Sequence, residues 1–173
     1  MKRNRRSYSI AALGAAVLAS VAVVGGAGAT AEQAAPDKNI VQTAAGAGQF
    51  KTLIALAKQA GLAGALSGPG KLTVFAPTDK AFAKVPKATL RKLQRNKAQL
   101  RTVLLYHVVK GDVKAAQVVK LRRVKTLNGE YVRIGVKGNR VYLNRTTRVT
   151  KTDIGASNGT IHVIDGVLIP PAS

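Results

Sequence analysis

Gly155-Ala156-Ser157-Asn158-Gly159-Thr160-Ile161-His162-Val163-Ile164-Asp165-Gly166-Val167-Leu168-Ile169-Pro170 is the stretch on which the reading of this chain turns. Residues 155–159 match G-x-S-x-G, and a His and an Asp follow, so the segment resembles a hydrolase triad in miniature. A nucleophile elbow, however, needs a strand before its Ser and a helix after it, with the acid preceding the His. Here a β-branched run follows Ser157, and His162 precedes Asp165. Side chains three positions apart on a strand leave opposite faces, so His162 and Asp165 are not expected to form the bond a triad requires. Ser157-Asn158-Gly159 therefore reads as a turn, Thr160–Ile164 as a strand and Val167–Ile169 as another. No catalytic residue is assigned.

More strand-like runs lie upstream. Arg123–Leu127, Tyr131–Val136, Val141–Asn144 and Arg148–Thr152 are strand-like, with hairpin signals at Asn128-Gly129 and Lys137-Gly138-Asn139. Leu72–Phe75 is a short strand ahead of Pro77-Thr78-Asp79, where Thr78 or Asp79 can cap a short helix through Phe82. Earlier still the spacing is helical. Ile40, Val41 and Ala44 share one face, and Phe50, Leu53, Ile54, Leu56 and Ala57 continue it until Ser67-Gly68-Pro69-Gly70. Ala88–Val103 is the clearest helix, carrying Arg91, Lys92, Arg95 and Arg101 on its polar side, and Lys114–Val119 allows a further turn. Helices first and strands after give an α+β class.

Three segments resemble the fasciclin-like domain family: Leu72–Phe82 (LTVFAPTDKAF), Leu104–Gly111 (LLYHVVKG) and Asn158–Pro170 (NGTIHVIDGVLIP). They follow the family's order and spacing across roughly Asn39 to Pro171. The resemblance implies a β-wedge of two small sheets with a cluster of helices packed against it, an extracellular setting, and roles in adhesion or matrix association. It implies structural duty for Thr78, Asp79, Asn158, Gly159, His162 and Asp165. For Tyr106 and His107 it implies a partner-binding role, since the matching Tyr-His pair is implicated in integrin binding in animal members. Two features depart from the family: some secreted bacterial relatives carry a disulfide, and the basic charge here is extreme.

The 173 residues contain no cysteine, which excludes a disulfide scaffold, a thiolate metal site and a Cys nucleophile. With 46% apolar residues the chain is too hydrophobic for a disordered polycation. Lys2, Arg3, Arg5 and Arg6, then uncharged Ile10–Val24, then Ala27-Gly28-Ala29 and Ala29-Thr30-Ala31 have the three parts of a secretory signal. The apolar run is shorter than the roughly 20 residues of a membrane-spanning helix. The expected organisation is a signal peptide over 1–31, a linker over 32–38 and one domain over 39–171, with an uncleaved N-terminal anchor as the alternative. No transmembrane segment is expected after cleavage. The expected location is outside the cell or in its envelope, in a bacterial source.

Losing residues 1–31 removes four cations and no acid, leaving 24 Lys and Arg against 7 Asp and Glu, a charge of +17. Lys120, Arg122, Arg123 and Lys125 crowd one short segment, and Arg91, Lys92 and Arg95 form a helical stripe. Both are candidate polyanion-binding sites whose hold should weaken with salt. The expected partner is a cell-surface or matrix component, with anionic polysaccharide, wall polymer or lipid headgroups among the chemistries that fit. With few aromatic residues to spare from the core, specific nucleic-acid recognition is not expected. His107 and His162 are the only histidines, too few for a structural zinc site. They read as buried side chains bonded to backbone or to Thr78 or Asp79. No metal or cofactor is expected. Asn144 and Asn158 open glycosylation sequons.

Overall fold

The runs of β-branched residues pair into one mixed sheet of seven strands, ordered β2-β1-β7-β6-β5-β4-β3. The computed structural model describes residues 36–171. The expected signal peptide and most of the linker lie outside the described residues. The strands are β1 (Leu72–Pro77), β2 (Val108–Lys110), β3 (Arg123–Lys125), β4 (Tyr131–Lys137), β5 (Arg140–Leu143), β6 (Thr147–Ala156) and β7 (Gly159–Ile164). β1 and β7 run parallel at the heart of the sheet, and the other neighbours are antiparallel. Both central strands are buried on both faces, as their nearly unbroken apolar runs require.

The helices are α1 (Ile40–Gly46), α2 (Lys51–Gln59), α3 (Ala63–Ser67), α4 (Asp79–Ala83), α5 (Lys87–Arg95), α6 (Lys97–Leu105) and α7 (Ala115–Val118). Alternation along β1 and β7 divides the core in two. Val74, Ala76, Ile161 and Val163 face α1, α2 and α6 with Phe50, Leu56 and Leu104. Phe75 and Ile164 face the other way, into the wedge, with Tyr106, Val132, Leu143 and Leu168.

The α+β wedge with packed helices is present, and its two expected small sheets prove to be the two ends of one. β6 is ten residues long and joins them, pairing β5 at Arg148 and Thr147 and β7 from Val149 to Ala156. It bends where the register shifts twice between Val149 and Ile154, with Asp153 at φ 56°. At the open ends, Val109 bridges Thr126 and the Leu127 N–H donates to the Val108 carbonyl at 2.7 Å, so β2 and β3 nearly close the sheet on itself.

Two local expectations are corrected. The helix expected over Ala88–Val103 breaks at Asn96, which ends α5 with ψ 94° and caps α6, its side chain accepting from Gln99 N at 3.1 Å. Asn competes well for such caps, and that local bond outweighs continued helical periodicity. Val167–Ile169 is not a strand, because the Leu168 N–H is taken by a side chain rather than by a ladder.

Candidate functional site

Thr78 and Asp79 cap two different helices. Thr78 Oγ1 accepts from Ala81 N at 3.2 Å and starts α4. Asp79 Oδ1 accepts from Thr52 N at 2.8 Å, and its own N–H donates to the Gln49 carbonyl at 2.9 Å. It thereby supplies α2 with a cap that Phe50, at the N-cap position, cannot provide. Burial pushes this carboxyl up, but the bonds from Thr52 and the nearby Lys51 outweigh it and hold Asp79 below the ordinary carboxylate value.

Tyr106 and His107 follow the end of α6 and are only 1% and 2% exposed. The Tyr106 hydroxyl donates to the Tyr131 carbonyl at 3.1 Å and accepts from Asn144 Nδ2 at 3.0 Å. His107 Nδ1 donates to the Val103 carbonyl at 2.8 Å, while Nε2 accepts from Leu168 N at 2.9 Å. This fixes a neutral tautomer, and complete burial lowers its pKa to about 4. The expected partner-facing pair is therefore an internal tie. Tyr106 joins the end of α6 to β4 and the β5–β6 turn, and His107 joins α6 to the segment after β7. In this conformation neither side chain is presented to a partner.

His162 repeats the device. Its Nε2 donates to the Val113 carbonyl at 2.8 Å, and Nδ1 accepts from Asp153 N at 3.3 Å, in the bend of β6. Its ring stacks on Phe75 with centroids 5.6 Å apart, and burial lowers its pKa. Both histidines bond to backbone, and neither bonds to Thr78 or Asp79. Asp165 turns elsewhere: its Oδ1 accepts from Arg148 N at 2.9 Å. No His162–Asp165 bond forms, and Ser157 lies in the exposed turn of the β6–β7 hairpin rather than on an elbow. Among the described residues no three His, Asp or Glu side chains come together in a way that could hold a metal.

Asn158 and Gly159 lock the helices onto the sheet. Asn158 Oδ1 accepts from Ile40 N at 2.8 Å, and Nδ2 donates to the carbonyls of Leu66 and Gly68 at 2.8 and 3.1 Å. Gly159 has φ 153°, and a Cβ there would overlap the carbonyl oxygen of Leu72. Both sequon residues bond inside the fold, Asn158 Nδ2 to two carbonyls and Asn144 Nδ2 to the Tyr106 hydroxyl.

The acids go the same way as the motifs. Of the six acidic residues described, Asp79, Asp112, Asp153 and Asp165 accept hydrogen bonds inside the fold. Asp153 Oδ1 takes Ala115 N at 2.9 Å at the start of α7. Asp112 accepts from Thr160 and lies 3.3 Å from Lys114 Nζ, the one ion pair among the described residues. Lys114 Nζ in turn donates to Thr160 Oγ1 at 2.6 Å. The Thr160 hydroxyl leads the causes that hold Asp112 below its ordinary value, with Lys114 adding to it against burial. This Asp112–Lys114–Thr160 cluster was not foreseen, because it forms only where the loop after β2 meets β7.

The expected cationic residues are all at the surface. Lys120, Arg122, Arg123 and Lys125 are exposed on and before β3, and Arg91, Lys92 and Arg95 line an open cleft with Ala88, Asn96 and Gln99 between α5 and α6. Arg123 lies over the ring of Tyr131, 4.7 Å from its centroid, a cation–π contact. The two groups sit on different elements, α5 and β3. Two small cavities beside His107, about 30 and 10 Å³, are lined by apolar atoms and are far too small for a metabolite.

A family model described as the Fasciclin domain matches residues 48–170. Protein sll1483 of Synechocystis is 47% identical over 147 residues, covering 83% of this chain and 81% of its own length. The transforming growth factor-beta-induced protein ig-h3 of Sus scrofa is 35% identical over 138 residues, which is 80% of this chain and 20% of that protein. Among solved structures, a domain pair from the insect cell adhesion molecule Fasciclin I aligns with a TM-score of 0.65 at 18% identity, over 78% of this chain and 52% of that one. At that identity the likeness speaks to fold alone.

Proposed function

The chain belongs to the fasciclin domain family, and on that premise we propose that it is an exported, non-enzymatic binding module attaching to the cell envelope or extracellular matrix through its cationic exterior. One observation carries this reading. The motif residues and most acids are consumed inside the fold, while no Lys or Arg other than Lys114 pairs with a carboxylate among the described residues. Such a surface raises the local concentration of anionic partners. The charged start, apolar run and small-residue exit at residues 1–31 support export. Membership of the fasciclin domain family supports the adhesive role.

The test uses the full chain expressed in a bacterium with a C-terminal epitope. The protein is expected in the medium or envelope, shortened at its N-terminus, and retained on isolated envelopes at low salt. An unprocessed cytosolic protein, or one that passes over envelopes without retention, overturns the proposal. Retention that disappears at moderate salt on every polyanion marks charge as the main determinant. Retention that survives high salt marks a specific contact.

A further inference from the structure

Among the cations one group stands apart by geometry. Residues alternate across a strand, so Arg123 and Lys125 of β3, Tyr131, Arg133, Gly135 and Lys137 of β4, Arg140 and Tyr142 of β5, and Arg148 of β6 share the outer side of the sheet. The registers agree: Arg123 faces Arg133, Lys125 faces Tyr131, Gly135 faces Tyr142, Lys137 faces Arg140 and Tyr142 faces Arg148. On the opposite side, Val132, Ile134 and Leu143 are buried. The outer side holds six cations and no acid. By strand spacing it measures roughly 15 by 20 Å.

Two of those registers are cross-strand pairs of like charge, Arg123–Arg133 and Lys137–Arg140. Directly opposed like charges destabilise a sheet. Among the described residues no carboxylate pairs with any of the four, since Asp153 and Asp165 serve as caps and ties, and only Arg123 gains a compensating contact, with the Tyr131 ring. Arg148 adds a buried Nε with no hydrogen-bond partner among the described residues, a kind of defect that calls for an explanation. The cations of α5 need no such account, since Lys92 and Arg95 sit in its last turn, where the helix dipole favours them. A shallow open pocket lined by Lys137, Gly138, Asn139, Arg140 and Tyr142 ends the face at the β4–β5 hairpin.

We propose that the outer face of β3–β6, centred on Arg123, Arg133 and Arg140, is a binding site for a linear anionic polysaccharide. The inference rests on the adhesive reading above and names its partner class and its surface. Regularly placed carboxylate or sulfate groups laid between the strands would neutralise both opposed pairs, and guanidinium forks suit such groups. Single-stranded nucleic acid fits less well, because it needs open aromatic faces. Here Arg123 already covers the Tyr131 ring, and Tyr142 is half-buried. A bilayer fits less well too, because none of these strand positions presents an aliphatic side chain outward to insert.

The test compares two triple variants of the full chain that remove equal charge: Arg123→Ser/Arg133→Ser/Arg140→Ser on the face, and Arg91→Ser/Lys92→Ser/Arg95→Ser on α5. The probe is a heparin oligosaccharide, with oligo(dT) and phosphatidylglycerol vesicles as comparators. The face variant should bind heparin about tenfold or more weakly than the α5 variant at the same salt. Heparin should raise the melting temperature of the wild type and the α5 variant but not of the face variant. Without ligand at low salt, the face variant should melt no lower than wild type, which separates lost binding from lost folding. Equal weakening by both triples overturns the inference, as does tighter face-dependent binding of oligo(dT) or vesicles than of heparin. Those outcomes leave the adhesive reading standing. Heparin binding to an intact face without envelope retention does the reverse.

Discussion

The parallel pair β1–β7 and the outer face of β3–β5 lie in one sheet and use their polar residues in opposite ways. Around β1 and β7 the polar side chains are bonded inside the fold: Asn158 satisfies three backbone atoms, His107 and His162 two each, Asp165 the Arg148 N–H, and Thr160 bonds Asp112 and Lys114. On β3–β5 the polar side chains meet only solvent, one another and the ring of Tyr131. Buried polar groups must be paired, so the first region tolerates little change. The second carries a small destabilising repulsion that folding alone does not require. The motifs of this chain mark its scaffolding, and the surface chemistry lies where there is no motif.

The strongest way to break that contrast is Gly159→Ala. The added Cβ meets backbone of Leu72, its carbonyl carbon and nitrogen at 2.8 and 2.9 Å, and backbone at the first register pair of β1 and β7 cannot yield as a side chain would. A loss of at least about 4 kcal/mol is expected, read as failure to unfold cooperatively in urea at room temperature. A variant with near-wild-type stability would mean the two strands are not held at this distance.

Acid tests the histidine ties. His107 titrates near 6.5 when unfolded and at about 4 when folded. Between those values the unfolded chain binds the extra proton, so stability falls as pH drops from about 6.5 to about 4 and this contribution levels off below. The interval corresponds to roughly 3 kcal/mol. His162, also lowered by burial, adds in the same direction. Asp79 and Asp112, lowered from 3.8, add their loss only below that value. Urea unfolding at pH 7 and pH 4.5 measures the slope, and His107→Gln, which keeps one donor and one acceptor, should flatten much of it. Smaller again is Tyr106→Phe, which removes the bond to the Tyr131 carbonyl and leaves Asn144 Nδ2 one partner short. About 1–2 kcal/mol is expected, seen as a lower urea midpoint with an unchanged slope.

How much was legible followed from how local each cause is. Thr78, whose hydroxyl caps its own helix, could be read directly, and so could the Asn128-Gly129 and Lys137-Gly138-Asn139 hairpins. The separation of His162 from Asp165 followed from strand parity alone. Asp79 was legible as a cap but not as the cap of another helix 27 residues away. The break at Asn96 was hidden by apolar periodicity that continues through it. Burial of His107 was legible in the apolar run around it, but its partners and the burial of Tyr106 were not, because nothing local shows that the segment after β7 and the β5–β6 turn close over them. The cationic face was written in the alternation of Tyr131, Arg133, Gly135 and Lys137, but recognising it required the registers of β3 and β5.

The weakest expected effect bears most directly on the contrast. A double-mutant cycle on Arg123→Ser and Arg133→Ser isolates the interaction of two cations placed opposite one another. Were this pair part of the scaffold, its coupling would favour the fold and resist salt. Two guanidiniums side by side on an exposed face should instead couple unfavourably, by about 0.5 kcal/mol at 10 mM salt. Because exposed charges are screened over a Debye length of about 3 Å at 1 M, the coupling should shrink towards zero there. Arg123 also loses its place over the Tyr131 ring when truncated, but that term belongs to the Arg123 single variant and cancels in the cycle. A favourable, salt-independent coupling would show that the outer face is built like the interior after all. A repulsion that salt removes would leave its persistence to be explained by something that binds there.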